Sequence, residues 1–455
     1  MSELFGALYG TRAMRDVFST RSRLAAMLRF EAALARAEAD CGVIPAPAAG
    51  AIASAAANVD AFDAGAIAAS AETVGYPVVG LTKQLARLAG DEAGKYVHWG
   101  ATTQDVLDTA TVLQMRDAFA RLDADLGATI AALAALARAH RDDVMAGRTH
   151  LQHALPVTFG YVAAVWLAPL ADHREALRSA AERARILQFG GAVGTLASLG
   201  AHAREVTLAL AGELGLRAPD APWHVDRSAF AGAACAVALA CGSLAKLATD
   251  VVLLMQTEVG EAFEPHAPGR GGSSTMPQKR NPIASEYVIA ATSGVHALVS
   301  VMLRAMAGDH QRSTGPWQSE EIALPQLFVL ASAAFAHART LAEGLTVDAG
   351  RMRANVEITH GLIVSEAVSM ALAETIGHAR AHAAVAAAAS EALGTGRALL
   401  DVLAEDAGVA AAFDRARLAE LLDPARYLGE AGAVVDRVLA SLSPSSPTDH
   451  SERGP

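Results

Sequence analysis

GRGGSSTMPQKRNP, residues 269–282, interrupts a chain that otherwise reads as alanine-rich helix. Three glycines, two serines, three cations and two prolines cannot continue a helix, and they do not read as a strand. Helical patterning runs from about Ala229 to Phe263 before this stretch and from Ile283 to Met306 after it. The stretch therefore reads as a mobile polar loop between two long helices, and that reading decides the fold. Similar long patterns cover about 106–141, the residues after Pro156, and about 321–345. Helices of this length in succession predict an all-α chain with a long central bundle. Their small-residue stripes suit packing against further copies of the chain.

Working outward, Ser19 or Thr20 caps a helix to Asp40, with Leu24, Met27, Leu28 and Leu34 as its apolar stripe and Gly42 as its stop. Residues 45–70 read as short helices. The expected division is an N-terminal helical domain over 1–105, a central long-helix bundle over 106–345, a C-terminal helical domain over 346–442 and a disordered tail over 443–455. No internal repeat and no strand-rich region is evident.

Composition narrows the function. The chain has 37 Lys plus Arg against 48 Asp plus Glu, a net charge of −11. An acidic chain is a poor general partner for nucleic acid, so any anion it binds must sit in a local cationic pocket. Cys41, Cys235 and Cys241 form no CxxC and no even framework, which fits a reducing cytoplasm and no zinc site. The start, MSELFGALYGTRAMRD, does not read as a signal peptide. The uncharged runs 151–171 and 228–245 read as buried helices rather than membrane spans.

Polar residues gather at three helix breaks. VHWGATTQD carries His98, Thr102 and Thr103; GRTHLQHALP carries Arg148, Thr149, His150 and Gln152; the opening loop carries Arg270, Ser273, Ser274, Lys279, Arg280 and Asn281. Helix N-termini at such breaks suit carboxylates. Taken singly, Thr102 and Thr103 are equally well N-caps, and His150 is one of 15 histidines. Other schemes fail on inspection. GGSST is not the G-x-S-x-G elbow, no P-loop surrounds Gly269, GGAVGTLASLG lacks dinucleotide spacing, and no HExxH or metal cluster occurs. What remains is a cofactor-free, metal-free set of Ser, His, Thr, Lys and Asn, able to hold carboxylates and to move one proton.

Together these stretches resemble the fumarase/aspartase superfamily over roughly residues 4–440. GSSTMPQKRNP resembles its signature loop, and GRTHLQHALP and VHWGATTQD its two other shared regions. LQFGGAVGTLASLG, LLMQTEVGE, RMRAN and LLDPARYLGEAG are similar to the 3-carboxy-cis,cis-muconate cycloisomerase branch. The resemblance implies a three-domain all-α homotetramer with a twenty-helix core, each active site drawn from three subunits. It implies Ser273 as the proton-abstracting base and His150 in acid/base work or charge stabilisation. It implies Lys279, Asn281, Thr102 and Thr103 as carboxylate binders, with His98 near the substrate. Thr149, Gln152, Ser274 and Arg312 are added to the substrate-binding set, and the substrate is a small polycarboxylate.

Departures restrict the substrate. ETVGYP at 72–77, Leu8 before Tyr9, and Glu321 depart from the adenylosuccinate lyase pattern and disfavour a nucleotide phosphate. PWHVDRS at 222–228, Gln278 and GPWQSEE at 315–321 depart from the cycloisomerase pattern, in loops expected near the site. A lyase that releases fumarate from a succinyl-amine adduct, and a non-catalytic structural relative, stay open as alternatives.

Overall fold

Where the sequence caps a helix, the chain folds one. The computed structural model describes residues 3–266, 276 and 278–442. Ser273, Ser274 and the tail expected to be disordered lie outside the described residues. Helix Thr20–Asp40 (α1) opens on Ser19, whose hydroxyl accepts from the Ser22 amide at 3.2 Å, and stops at Gly42 with φ +73°. Leu24, Met27, Leu28 and Leu34 are buried as expected. Full burial of each contributes roughly 1.5–3 kcal/mol. The same face also buries Glu31 and Glu38.

Helix Thr103–Ala139 (α2) runs for 37 residues. Its C-terminal end leads into an antiparallel hairpin of Val144–Thr149 (β1) and Gln152–Thr158 (β2), followed by helix Phe159–Ala184 (α3). The hairpin is absent from a purely helical reading of 151–171. Val144, Met145, Val157 and Thr158 are β-branched or apolar and pair across it, and Gly147 lets the strands close. A Cβ on Gly147 would lie 2.6 Å from the Leu155 carbonyl oxygen.

Helix Ser228–Leu254 (α4) ends nine residues before the expected Phe263. Gly260, at φ +63°, donates its amide to the Gln256 carbonyl at 2.8 Å and turns the chain. Ala262–Phe263 (β3) then pairs with Thr346–Val347 (β4). Helix Ile283–Ala305 (α5) follows the expected pattern, and helix Pro316–Gly344 (α6) begins about five residues earlier than expected, at a proline. By length and composition α4, α5 and α6 are each apolar enough to cross a membrane. Here each buries part of its surface within the chain and leaves the rest exposed.

The chain divides into two compact units. One holds Met1–Leu126, His173–Ala245 and Tyr287–His337; the other holds Gly127–Asp172, Lys246–Glu286 and Ala338–Pro455. The long helices α2 and α4 contribute to both. In the second unit a separate C-terminal core forms where Ser365–Ile376 (α7) packs on His378–Thr395 (α8) through Val368, Leu372, Ala381 and Val385.

Candidate active site

Thr102 and Arg312 are 210 residues apart in sequence and meet in the first unit. Arg312 Nη1 donates to Thr102 Oγ1 at 3.0 Å, and Nη2 donates to the Ala192 carbonyl at 3.1 Å. All partners of this guanidinium are neutral, and no carboxylate pairs with it among the described residues. The Thr102 hydroxyl therefore meets a cation instead of capping the helix. Capping falls to Asp105, which accepts from the Thr102 amide at 3.0 Å. Thr103 begins α2 and is half-buried.

Asp105 also organises the wall behind this corner. It accepts from the Gly190 and Gly191 amides at 3.0 and 2.9 Å, and its Oδ1 lies 2.7 Å from His224 Nε2. Gly191 has φ +65°, and a Cβ there would meet the Gly100 carbonyl oxygen at 2.9 Å. GGAVGTLASLG thus lets two backbones approach closely at this corner.

PWHVDRS is a loop, and three of its side chains pack inward as support. Trp223, His224 and Arg227 are almost fully buried. Arg227 lies between the rings of Trp223 and Phe230, 4.9 Å from each centroid. It donates to Asp108 at 2.8 and 3.0 Å and to Glu320 at 3.0 Å. GPWQSEE supplies the opposite side: Trp317 Nε1 donates to Asp108 at 3.0 Å. These departures from the cycloisomerase pattern are tied together as one buried polar cluster, because a buried guanidinium needs paired carboxylates.

His98, with φ +63°, holds a backbone shape rare outside glycine. Its Nδ1 lies 2.7 Å from Oε1 of Glu31, which has no exposed side-chain surface. Burial works to lower the His98 pKa, and the Glu31 charge and hydrogen bond outweigh it, so the ring titrates above its ordinary range. Glu31 was not foreseen. Its position on the apolar stripe of α1 was the only signal, and its partner is 67 residues away.

In the second unit, His150 and Leu151 form the two-residue turn of the hairpin, at φ +52° and +64°. Both-positive φ is the geometry that matches strand twist in tight hairpins, and it normally selects Asn-Gly. Thr149 pairs with Gln152 at its base. The turn projects its residues: Thr149, His150, Leu151 and Gln152 are all exposed. Below it, Arg148 makes a two-pronged bond to Glu261 at 2.8 and 2.6 Å, and Asn355 Nδ2 donates to the same carboxylate at 2.7 Å. Arg148 is thereby a fastening for the turn.

Lys279 and Asn281 border the opening loop. Lys279 is exposed, and Asn281 is half-buried. Arg280 stacks over the Phe263 ring at 5.2 Å and donates to the Glu264 carbonyl at 3.1 Å. The Glu264 carboxylate accepts from the Ala284 and Ser285 amides at 3.0 and 2.7 Å, capping the start of α5. This rigid exit from the loop was missed because Glu264 caps from twenty residues away.

Comparison with known proteins defines the class. A lyase family model matches residues 9–296, and a model for the adenylosuccinate lyase C-terminus matches 361–438. A 3-carboxy-cis,cis-muconate cycloisomerase of Bradyrhizobium diazoefficiens is 48% identical over 97% of this chain and 98% of its own length. The crystal structure of 3-carboxy-cis,cis-muconate lactonizing enzyme from Pseudomonas putida matches with TM-score 0.92 at 43% identity, covering 96% of this chain and 98% of that one. A fumarate lyase structure from Mesorhizobium sp. BNC1 matches with TM-score 0.89 at 44% identity, covering 95% and 98%. The chain belongs to the fumarase/aspartase superfamily and is an enzyme of its lyase and cycloisomerase kind. Within that superfamily its similarity runs to the cycloisomerase branch.

Proposed function

We propose that this enzyme catalyses cofactor-free anti addition–elimination on a small polycarboxylate, of the 3-carboxy-cis,cis-muconate cycloisomerase type, with Ser273 as the base. The observation that carries this reading is the Arg312 guanidinium, held on Thr102 with no carboxylate to neutralise it among the described residues. Such a cation at a helix N-terminus suits an anionic substrate group. Near-full-length similarity to cycloisomerases supports the substrate class.

In the elimination direction the Ser273 oxygen takes a hydrogen α to a carboxylate. The electrons of that C–H bond form a carbon–carbon double bond, and the bond to the β substituent breaks. In a lactone that substituent leaves as a carboxylate. Charge develops on the α-carboxylate as the hydrogen departs, so donors aimed at it lower the barrier. Thr102, Thr103, Arg312, Lys279 and Asn281 fill that role, with His98, Thr149, Gln152 and Ser274 completing the binding set. His150 acts opposite the base or stabilises charge. The protein works as a cytoplasmic homotetramer whose sites draw on three subunits.

The fumarate lyase similarity favours a second reading, in which the β substituent is an amine and fumarate is released. Supplying carboxymuconate and a panel of succinyl-amine adducts, and following absorbance, separates the two. Turnover of carboxymuconate with no fumarate from any adduct is the expected result; fumarate release alone favours the lyase. Ser273→Ala is expected to assemble normally yet lose at least about a hundredfold in kcat. His150→Asn is expected to lose at least about tenfold. A Ser273→Ala protein with wild-type turnover removes the serine from the chemistry.

A further inference from the structure

A cavity of about 330 Å³ in the first unit is lined by none of the residues assigned to substrate above. Phe18, Leu24, Met27, Ile67 and Leu324 supply apolar wall. Four charged side chains also border it: Arg23, Asp108, Glu320 and Glu321. Asp108 and Glu320 are already satisfied by Arg227, which donates to both, and Asp108 also accepts from Trp317. Two opposite charges are left over. Arg23 spends one nitrogen on neutral groups, donating to Thr111 Oγ1 at 2.6 Å and Gln114 Oε1 at 2.9 Å. Glu321 makes no hydrogen bond or salt bridge among the described residues. The two feel each other's charge without closing a salt bridge.

The charges around the cavity sum to a small negative value. Arg23 and Arg227 supply two cations against the three carboxylates Asp108, Glu320 and Glu321, 2 − 3 = −1. A polycarboxylate would meet three like charges, so this is no second copy of the catalytic site. A simple amine would leave half-buried Arg23 unmatched beside apolar wall, and Glu321, an exposed residue bordering the same cavity, can take the ammonium of a ligand whose carboxylate sits on Arg23. A zwitterion completes both. The volume is at the small end of ligand cavities and suits a small molecule.

We propose that this pocket binds a free α-amino acid with an apolar side chain, its carboxylate on Arg23 and its ammonium on Glu321. Binding here is independent of the catalytic reading. The test is calorimetric titration of the full-length protein with L-phenylalanine and L-leucine, alongside phenethylamine and 3-phenylpropionate, which each lack one charge. At least one amino acid is expected to bind with one site per chain, and the single-charge analogues at least about tenfold more weakly. Glu321→Gln and Arg23→Gln are each expected to weaken binding at least about tenfold. Ser273→Ala is expected to bind as wild type does, which separates this pocket from the catalytic centre. If Arg23→Gln does not fold, Glu321→Gln alone decides. No binding of either amino acid at millimolar concentration, or undiminished binding by Glu321→Gln, overturns the proposal; carboxymuconate turnover, assayed separately, stands or falls on its own.

Discussion

Glu38 lies seven residues after Glu31 on α1, fully buried, and neither of its carboxyl oxygens has a partner among the described residues. Burial first, and the Glu31 charge second, push its carboxyl up to about 9. It is therefore protonated at neutral pH, which leaves Glu31 as the charged partner of His98. Glu38 carries a pH dependence. Between its ordinary value of 4.5 and about 9 the folded chain holds one proton more than the unfolded chain. Its stability contribution is thus complete at low pH and is lost as pH rises through that window. Glu38→Gln is expected to be more stable than wild type by on the order of 2 kcal/mol at pH 8.5, with the gain vanishing near pH 4. Urea denaturation at the two pH values checks it, and a gain that does not change with pH would contradict the assignment. His98 titrates above its usual range for a different reason, its bond to Glu31. That pair stabilises below the ordinary histidine pKa and is lost as pH rises through the raised value. Spacing alone set both glutamates on the buried face of α1. What it could not show was which buried carboxylate would find a partner, because His98 arrives from a different segment.

At the scale of elements, the hairpin β1–β2, which carries His150 of the proposed site, is where the sequence misleads. Its turn places His150 and Leu151 in the left-handed region, where neither residue rests easily. Such strain costs on the order of 1 kcal/mol per residue and persists only where surroundings impose it. The surroundings here are Arg148, Glu261 and Asn355, a buried knot in the second unit. Glu261→Gln removes the charge that holds Arg148 and is expected to cost about 3–5 kcal/mol of stability. It is also expected to lower kcat more than it raises KM, because the turn that presents His150 loses its footing. Thermal denaturation and steady-state kinetics report the two effects, and a variant with unchanged kcat would detach His150 from the knot. The motif GRTHLQHALP marked this stretch as functional, but not as a hairpin. Leu151, Leu155 and Pro156 in an alanine-rich context hide a strand alternation only six or seven residues long. By contrast α1 and α5 were readable almost to their ends, since a capping serine or a preceding proline marks each start, whereas α6 starts at Pro316, five residues before the expected 321. The early end of α4 followed from Gly260, whose turn matters only once β3 has β4 to pair with.

For the whole molecule, the exposed apolar side chains are the guide. Leu239 on α4, Leu303 on α5 and Ile322 on α6 are 63%, 49% and 64% exposed. A single exposed leucine is ordinary, but these three sit on the three helices long and apolar enough to cross a membrane. Long helices with such faces are what one protomer of a helical assembly leaves uncovered. The homotetramer proposed above gives those faces a partner. Leu239→Glu then places a carboxylate where another subunit must pack, and desolvating it costs several kcal/mol. It is expected to run as a dimer or single chain by light scattering, with helical circular dichroism unchanged. Turnover is expected to fall with assembly, because each site in the proposed homotetramer draws on residues from three chains. A variant that stays tetrameric and fully active removes Leu239 from the interface. A dissociated variant that keeps full turnover preserves the interface but shows that one chain can furnish a complete site.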